Sequence, residues 1–371
     1  MLGRMASGSN RSEASGSEAP GFEAPGYGAP GSPAAVSPEP DTPAYTTSAP
    51  QNGLPSRVKV GLALGGGAAR GWSHIGVVKA LEREGLIPDV IVGTSIGAVV
   101  GGCFSAGKLD VLEAFARSLT RRRVISLLDF HLNGSGLIAG DRLKRLLDEN
   151  LIGIRAETLP HRFAAVATEL GSGHEVWLTK GLLTDIMRAS YALPGVLDAV
   201  KFGGRWLMDG ALVNPIPVTV ARALGADVVI CVNLNGDSRS RGAVIPVVDP
   251  DAAQSTQTII AEAAAKRRSL LGPVWGVAER VRQFATRSDG GPGIGSVMVD
   301  AFNITQDRIA RSRLAGDPPD LMISPKLNRI GLFDFHKAEE SIALGADAAE
   351  RMMDEIRDYL IQESMARQVI G

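Results

Sequence analysis

Apolar residues from Val58 onward follow two alternating rhythms. Short unbroken runs over 58–64, 90–92, 163–168, 175–178, 206–208, 228–232 and 321–323 have the length and β-branched content of strands. Between them, apolar positions recur every three or four residues. That spacing predicts helices over 72–84, 96–106, 141–151, 182–191, 218–224 and 337–362. Strands alternating with helices predict an α/β domain, a three-layer α/β/α sandwich around a mostly parallel sheet. Ligands of such sheets bind beyond the carboxyl ends of the strands. Gly66, Ser95 and Asp209 each follow a predicted strand end, so the topology sets them on one rim.

Three junctions on that rim carry chemistry. Gly65-Gly66-Gly67-Ala68-Ala69-Arg70-Gly71 joins the first strand to the first helix. Unpaired N–H groups and the helix dipole make such a loop a site for a phosphate or a developing oxyanion. Gly93-Thr94-Ser95-Ile96-Gly97 is a G-x-S-x-G run at the second strand–helix junction. A serine there is held on a tight turn with its hydroxyl raised above the sheet. Asp209-Gly210-Ala211 ends the 206–208 strand, and reads either as a turn aspartate or as a carboxylate projecting into a cleft. A serine nucleophile needs a base. Of the five histidines, His336 fits a Ser…Asp…His order, but its setting is the start of the last helix; His74 reads as a capping or packing residue of the first.

Taken together, G-G-G-x-x-R-G, G-T-S-I-G and D-G-A, in that order, resemble the patatin-like phospholipases. The stretches Ala69-Arg70-Gly71-Trp72-Ser73-His74-Ile75-Gly76-Val77 and Arg311-Ser312-Arg313-Leu314-Ala315-Gly316-Asp317-Pro318-Pro319-Asp320 are similar to the bacterial branch related to neuropathy target esterase. The resemblance spans about 58–342. It implies a serine acyl-ester hydrolase of phospholipase A or lysophospholipase type, acting through a Ser–Asp dyad without histidine. Ser95 is then the nucleophile and Asp209 the general base. Backbone amides of Gly66, Gly67 and Ala68 form the oxyanion hole. Gly65, Arg70, Gly71, Gly93, Gly97, Gly210 and Ala211 support the motifs. In one departure, Ala68 stands where the middle glycine of G-x-G-x-x-G belongs if Gly71 is the last; its donor survives if its φ is negative. Arg70 either fixes the loop through a salt bridge or meets a lipid phosphate. A carboxylate with a pKa near about 4 is a weak base at neutral pH, so the dyad calls for a desolvated Asp209.

Composition changes the picture at the ends. Residues 1–55 are Ser, Gly, Ala, Pro and Glu with Ala-Pro-Gly three times over, a composition expected to stay disordered and unlike a secretory signal. The hydrolase domain is expected over 56–345, and a terminal helix over 346–371. Within it, 236–293 breaks the alternation and is read as an insertion. Its 266–287 part is basic, with Val274, Val277, Val281 and Phe284 on one helical face. That pattern suits a lid or a peripheral membrane contact, or a helix packed on the core. No apolar run reaches the length of a spanning helix, and the net charge of −1 gives no attraction to nucleic acid. Cys103 and Cys231 read as reduced packing residues, so a cytoplasmic protein is expected, peripheral to the inner membrane face. No metal or cofactor is expected; lipid or lysophospholipid is the expected substrate. Two other readings stand beside the hydrolase. One is a nucleotide-binding protein using the glycine loop, which lacks the acidic residue such a fold needs about 20 residues on. The other is a non-catalytic regulatory protein that keeps the fold.

Overall fold

The computed structural model describes residues 57–120, 141–194, 196–236 and 294–370. The expected tail over 1–55, the basic 266–287 segment and nearly all of the 236–293 insertion lie outside these. The described strands are β1 (Val60–Leu64), β2 (Val90–Thr94), β3 (Arg162–Glu169), β4 (Glu175–Leu178), β5 (Val200–Phe202), β6 (Arg205–Asp209), β7 (Val228–Val232) and β8 (Leu321–Ile323). The described helices are α1 (Ser73–Arg83), α2 (Ile96–Ser105), α3 (Leu109–Ser118), α4 (Asp141–Asn150), α5 (Leu183–Tyr191), α6 (Val218–Ala223), α7 (Ile294–Gly316) and α8 (Ala338–Ile370).

The strands form one mixed sheet in the order β5-β6-β3-β2-β1-β7-β8, with β4 also paired to β3. The run β3-β2-β1-β7-β8 is parallel throughout. Its central strands β1, β2 and β7 are unbroken apolar runs because both faces are covered. Leu62, Leu64, Ile91, Phe163, Ala165, Ile230 and Val232 enter one core layer with α1, α2, α5 and α8. The residues between them, Ala63, Val90, Val92, Ala164, Val166, Val229 and Cys231, enter the other with α6 and α7. Cys103 and Cys231 sit in opposite layers, and burial pushes both thiols up to about 12. From β1 the chain steps to β2 on one side, whereas β7 pairs on the other. The loop after β1 therefore opens at the switch point of the sheet, where a ligand crevice forms.

Three elements lie outside the predicted set. Leu109, Leu112 and Ala116 are buried at helical spacing and make α3, which follows α2 after a turn at Gly107. Strand β5 pairs with β6 across Gly203-Gly204, both at positive φ, as a two-residue hairpin turn requires. Helix α7 follows the insertion and packs Ala310 and Leu314 against the sheet. The last helix runs unbroken from Ala338 to Ile370, joining the predicted 337–362 helix and the terminal helix expected over 346–371 into one element. Its buried stripe, Ala338, Ser341, Ile342, Ala348, Ala349, Met353 and Ile356, keeps the three-and-four spacing of a helix lying on one surface. Among the described residues no helix is long and apolar enough to cross a membrane.

Candidate active site

Strand β3 brings the serine and the aspartate together. Ala165 and Val166 pair with β2 on one side and β4 on the other. Ala167 and Thr168 pair with β4 and with β6. Strand β6 therefore lies on the same side of β3 as β2 and meets it end to end. Thr94 is opposite Val166, and Asp209 is opposite Ala167, the next residue. The chain turns out of β2 at Ser95 and out of β6 after Asp209, so the two side chains converge. A side chain at Gly210 would lie 2.2 Å from the Val166 carbonyl oxygen; only glycine lets this segment come so close.

Ser95 has φ 57 and ψ −123, a conformation that costs a side-chain-bearing residue energy and marks a strained turn. Three contacts hold it. Its N–H donates to Ser190 Oγ at 2.9 Å, and Ser190 Oγ donates to the Val166 carbonyl at 2.6 Å. The neighbouring Thr94 Oγ1 donates to the Asn214 carbonyl at 2.9 Å. A Cβ at Gly97 would be 2.2 Å from the Leu64 carbonyl, so α2 starts hard against the end of β1.

Ser95 Oγ donates to Asp209 Oδ2 at 2.6 Å. Asp209 Oδ1 accepts from the Ala211 N–H at 2.8 Å. The carboxyl is buried, and desolvation pushes its pKa up to about 6 against the lowering pull of those two hydrogen bonds. That places Asp209 in the range of a working base. Among the described residues no histidine bonds to either side chain. His336 lies in the turn Phe335–Lys337 that leads into α8.

The glycine loop lies directly above this pair. A methyl placed on Gly66 would be 3.5 Å from Ser95 Cβ and 3.2 Å from Ala211 Cβ. The Gly66 N–H donates to the Pro215 carbonyl at 2.9 Å, and the Gly65 N–H to Val232 at 3.2 Å. Gly66 is thus committed to tying the loop to the segment after Asp209. The N–H groups of Gly67 and Ala68 have no acceptor among the described residues. The condition of a negative φ set on the Ala68 donor is not met: its φ is 48, on the left-handed side, yet its N–H is still left without an acceptor among the described residues. A Cβ in that region costs roughly 1–2 kcal/mol. Ala68→Gly is accordingly expected to raise the melting temperature by about 2–4 °C, for a net gain near 1 kcal/mol, without loss of hydrolytic rate. Parallel thermal melts and rate assays check this.

Buried side chains hold the loop in place. Arg70 Nε donates to the Ile330 carbonyl at 2.9 Å, and Nη1 donates to Asn235 Oδ1 at 3.1 Å. The Arg70 carbonyl accepts from Ser73 Oγ at 2.8 Å and Ser341 Oγ at 3.2 Å, so α8 also grips the loop. His74 is fully buried, and desolvation lowers its pKa to about 4. It is neutral, and its Nε2–H donates to the Gly65 carbonyl at 2.7 Å. Ser190 and Ser341 are site residues that no motif marks, since lone hydroxyls on apolar elements carry no local signal.

A patatin-like phospholipase family model matches residues 62–222, a span holding the loop, Ser95 and Asp209. An uncharacterized NTE family protein of Mycobacterium bovis is 33% identical over 356 residues, 85% of this chain and 97% of that protein. Its counterpart in Mycobacterium tuberculosis matches to the same extent. The lysophospholipase NTE1 of Coccidioides immitis is 27% identical over 327 residues, 85% of this chain but 19% of that protein.

Proposed function

The chain belongs to the patatin-like phospholipases, within the NTE family, and on that footing we propose that it cleaves the carboxylic ester of a lysophospholipid or related lipid through a Ser95–Asp209 dyad. The observation that carries this reading is the 2.6 Å hydrogen bond from Ser95 Oγ to a buried carboxylate. Ionised Asp209 takes the Ser95 proton as Oγ bonds to the acyl carbon. The carbonyl oxygen becomes an oxyanion beside the free N–H groups of Gly67 and Ala68. Collapse breaks the ester C–O bond, and the departing alkoxide takes the proton from Asp209. Water then attacks the acyl-serine, giving its proton to Asp209 and releasing the fatty acid. Serine regains that proton. Each lost oxyanion donor typically costs about 3–4 kcal/mol of transition-state stabilisation. The lysophospholipid class is supported by the name of the Coccidioides relative.

Incubation with a fluorophosphonate probe is expected to modify wild-type protein at Ser95 alone and leave Ser95→Ala unmodified. Fatty-acid release from lysophosphatidylcholine micelles should follow the same pattern, while His336→Ala stays close to wild type. A folded His336→Ala protein without activity would replace the dyad with a triad. Wild-type protein that neither labels nor hydrolyses would end the hydrolase reading and leave the loop amides to a phosphate ligand.

A further inference from the structure

Helix α7 carries a polar residue where its packing calls for an apolar one. Residues 306, 310 and 314 share one helical stripe; Ala310 and Leu314 pack on the sheet. One turn earlier the stripe holds Gln306, only 3% exposed. The side chain makes no hydrogen bond to the described residues, and its amide atoms are not among the fully enclosed polar atoms left without a partner, so the amide end is open to a ligand in the site.

The amide faces the dyad. A methyl placed on Gly66 would be 3.7 Å from Gln306 Nε2 and 3.5 Å from Ser95 Cβ. Gln306 Nε2 and the Cβ of the nucleophile therefore flank the same face of Gly66, and because no Cβ stands on that face an acyl oxygen in van der Waals contact with the glycine Cα can approach the amide to the roughly 2.9 Å of an N–H···O hydrogen bond.

The helix that bears Gln306 is tied to the site. Arg313 Nη2 donates to Glu175 Oε2 at 2.8 Å, and Glu175 Oε1 accepts from Asn214 Nδ2 at 2.8 Å. Asn214 in turn holds Thr94 next to the nucleophile. From the other end, Arg222 bridges to Asp317 and Asp320, just after α7. The 311–320 stretch thereby fixes the position of a side chain one and a half turns before it.

We propose that Gln306 is a catalytic residue of this hydrolase, donating from Nε2 to the acyl oxygen as it becomes an oxyanion. It supplies a third donor in place of Gly66, whose N–H is held by Pro215. The inference rests on the Ser95–Asp209 reading and extends it to a helix outside the 62–222 match.

The test compares wild type, Gln306→Met and Gln306→Glu, with rates normalised to the folded fraction. Methionine keeps the volume without the donor; glutamate keeps the shape and presents an acceptor. With lysophosphatidylcholine micelles, both variants are expected to lose about 100-fold or more in kcat, with KM changed less than about threefold. The fluorophosphonate labelling rate should fall in parallel, because the phosphonyl oxygen occupies the same position. The melting temperature of Gln306→Met should be unchanged, as the substitution keeps the volume and breaks no hydrogen bond to the described residues. A structural role for Gln306 predicts the reverse, a lower melting temperature with an intact normalised rate. That result, or either variant hydrolysing within about twofold of wild type, overturns the proposal and leaves the dyad standing. Loss of labelling and hydrolysis in wild type itself would instead remove the dyad, and this proposal with it.

Discussion

Asp209→Asn is expected to lose about 10³- to 10⁴-fold in kcat/KM at pH 8 and, at the same pH, to become more stable. The activity loss follows from removing the one base that Ser95 reaches among the described residues, and general-base catalysis is typically worth up to that range. The gain in stability follows from burial. Asp209 has its pKa raised from 3.8 to about 6, chiefly by desolvation. Between these values the native state holds a proton that the unfolded chain has released, so stability falls as pH rises through this window and is level above it. At pH 8 the ionised carboxylate therefore costs the fold about 3 kcal/mol relative to pH below 4. Asparagine has no charge to desolvate and still accepts from the Ala211 N–H. A gain of about 1–3 kcal/mol is expected at pH 8, shrinking towards zero near pH 4. Urea unfolding at the two pH values reads this directly. The same pKa sets the rate: wild-type kcat/KM should drop about tenfold per unit below about pH 6, because a protonated carboxyl accepts no proton. A rate flat down to pH 5, or a variant with lowered stability at pH 8, would separate Asp209 from the role of buried base.

That opposition between activity and stability shows what was legible beforehand. The central parallel strands β1, β2 and β7 could be read because they are buried on both faces and appear as continuous apolar runs; β4, β7 and β8 have the predicted bounds. The G-T-S-I-G turn could be read because backbone geometry restricts it to small residues. What joins Ser95 to Asp209 could not. Their approach depends on β6 running antiparallel into the place where β2 ends, a register set by β3 and by no local pattern. The donors of the loop were legible only as a group. Which amide is free depends on Pro215, about 150 residues away, accepting from Gly66. A residue with a Cβ avoids positive φ in isolation, and at Ala68 the tertiary contacts of the loop override that preference. Gln306 gave no signal, because a lone glutamine on a helix looks like a solvent-facing residue until its stripe is known to be buried.

Gly76→Ala and Gly345→Ala are each expected to destabilise the protein by at least about 3 kcal/mol, although alanine is the better helix former. The two glycines allow α1 and α8 to touch backbone to backbone. A Cβ at Gly76 would lie 1.9 Å from the Ile342 carbonyl oxygen and 2.7 Å from the Ala346 nitrogen. A Cβ at Gly345 would lie 1.9 Å from the Ser73 carbonyl oxygen. The obstacles are main-chain atoms of a helix, so no rotamer change relieves them and the helices must move apart. Separation reaches the site, because Ser73 and Ser341, one from each helix, both donate to the Arg70 carbonyl in the glycine loop. Activity should therefore fall beyond the loss of folded protein, through kcat more than KM. Gly316→Ala is the control: a Cβ there meets nothing within 4 Å, and the variant should match wild type or exceed it slightly. Because both clashes open one interface, the Gly76→Ala/Gly345→Ala double variant should lose clearly less than the sum of the two single losses. Additive losses in urea unfolding, or single variants as stable as the control, would mean that α1 and α8 do not meet at these glycines, and the grip of α8 on the glycine loop would need another origin.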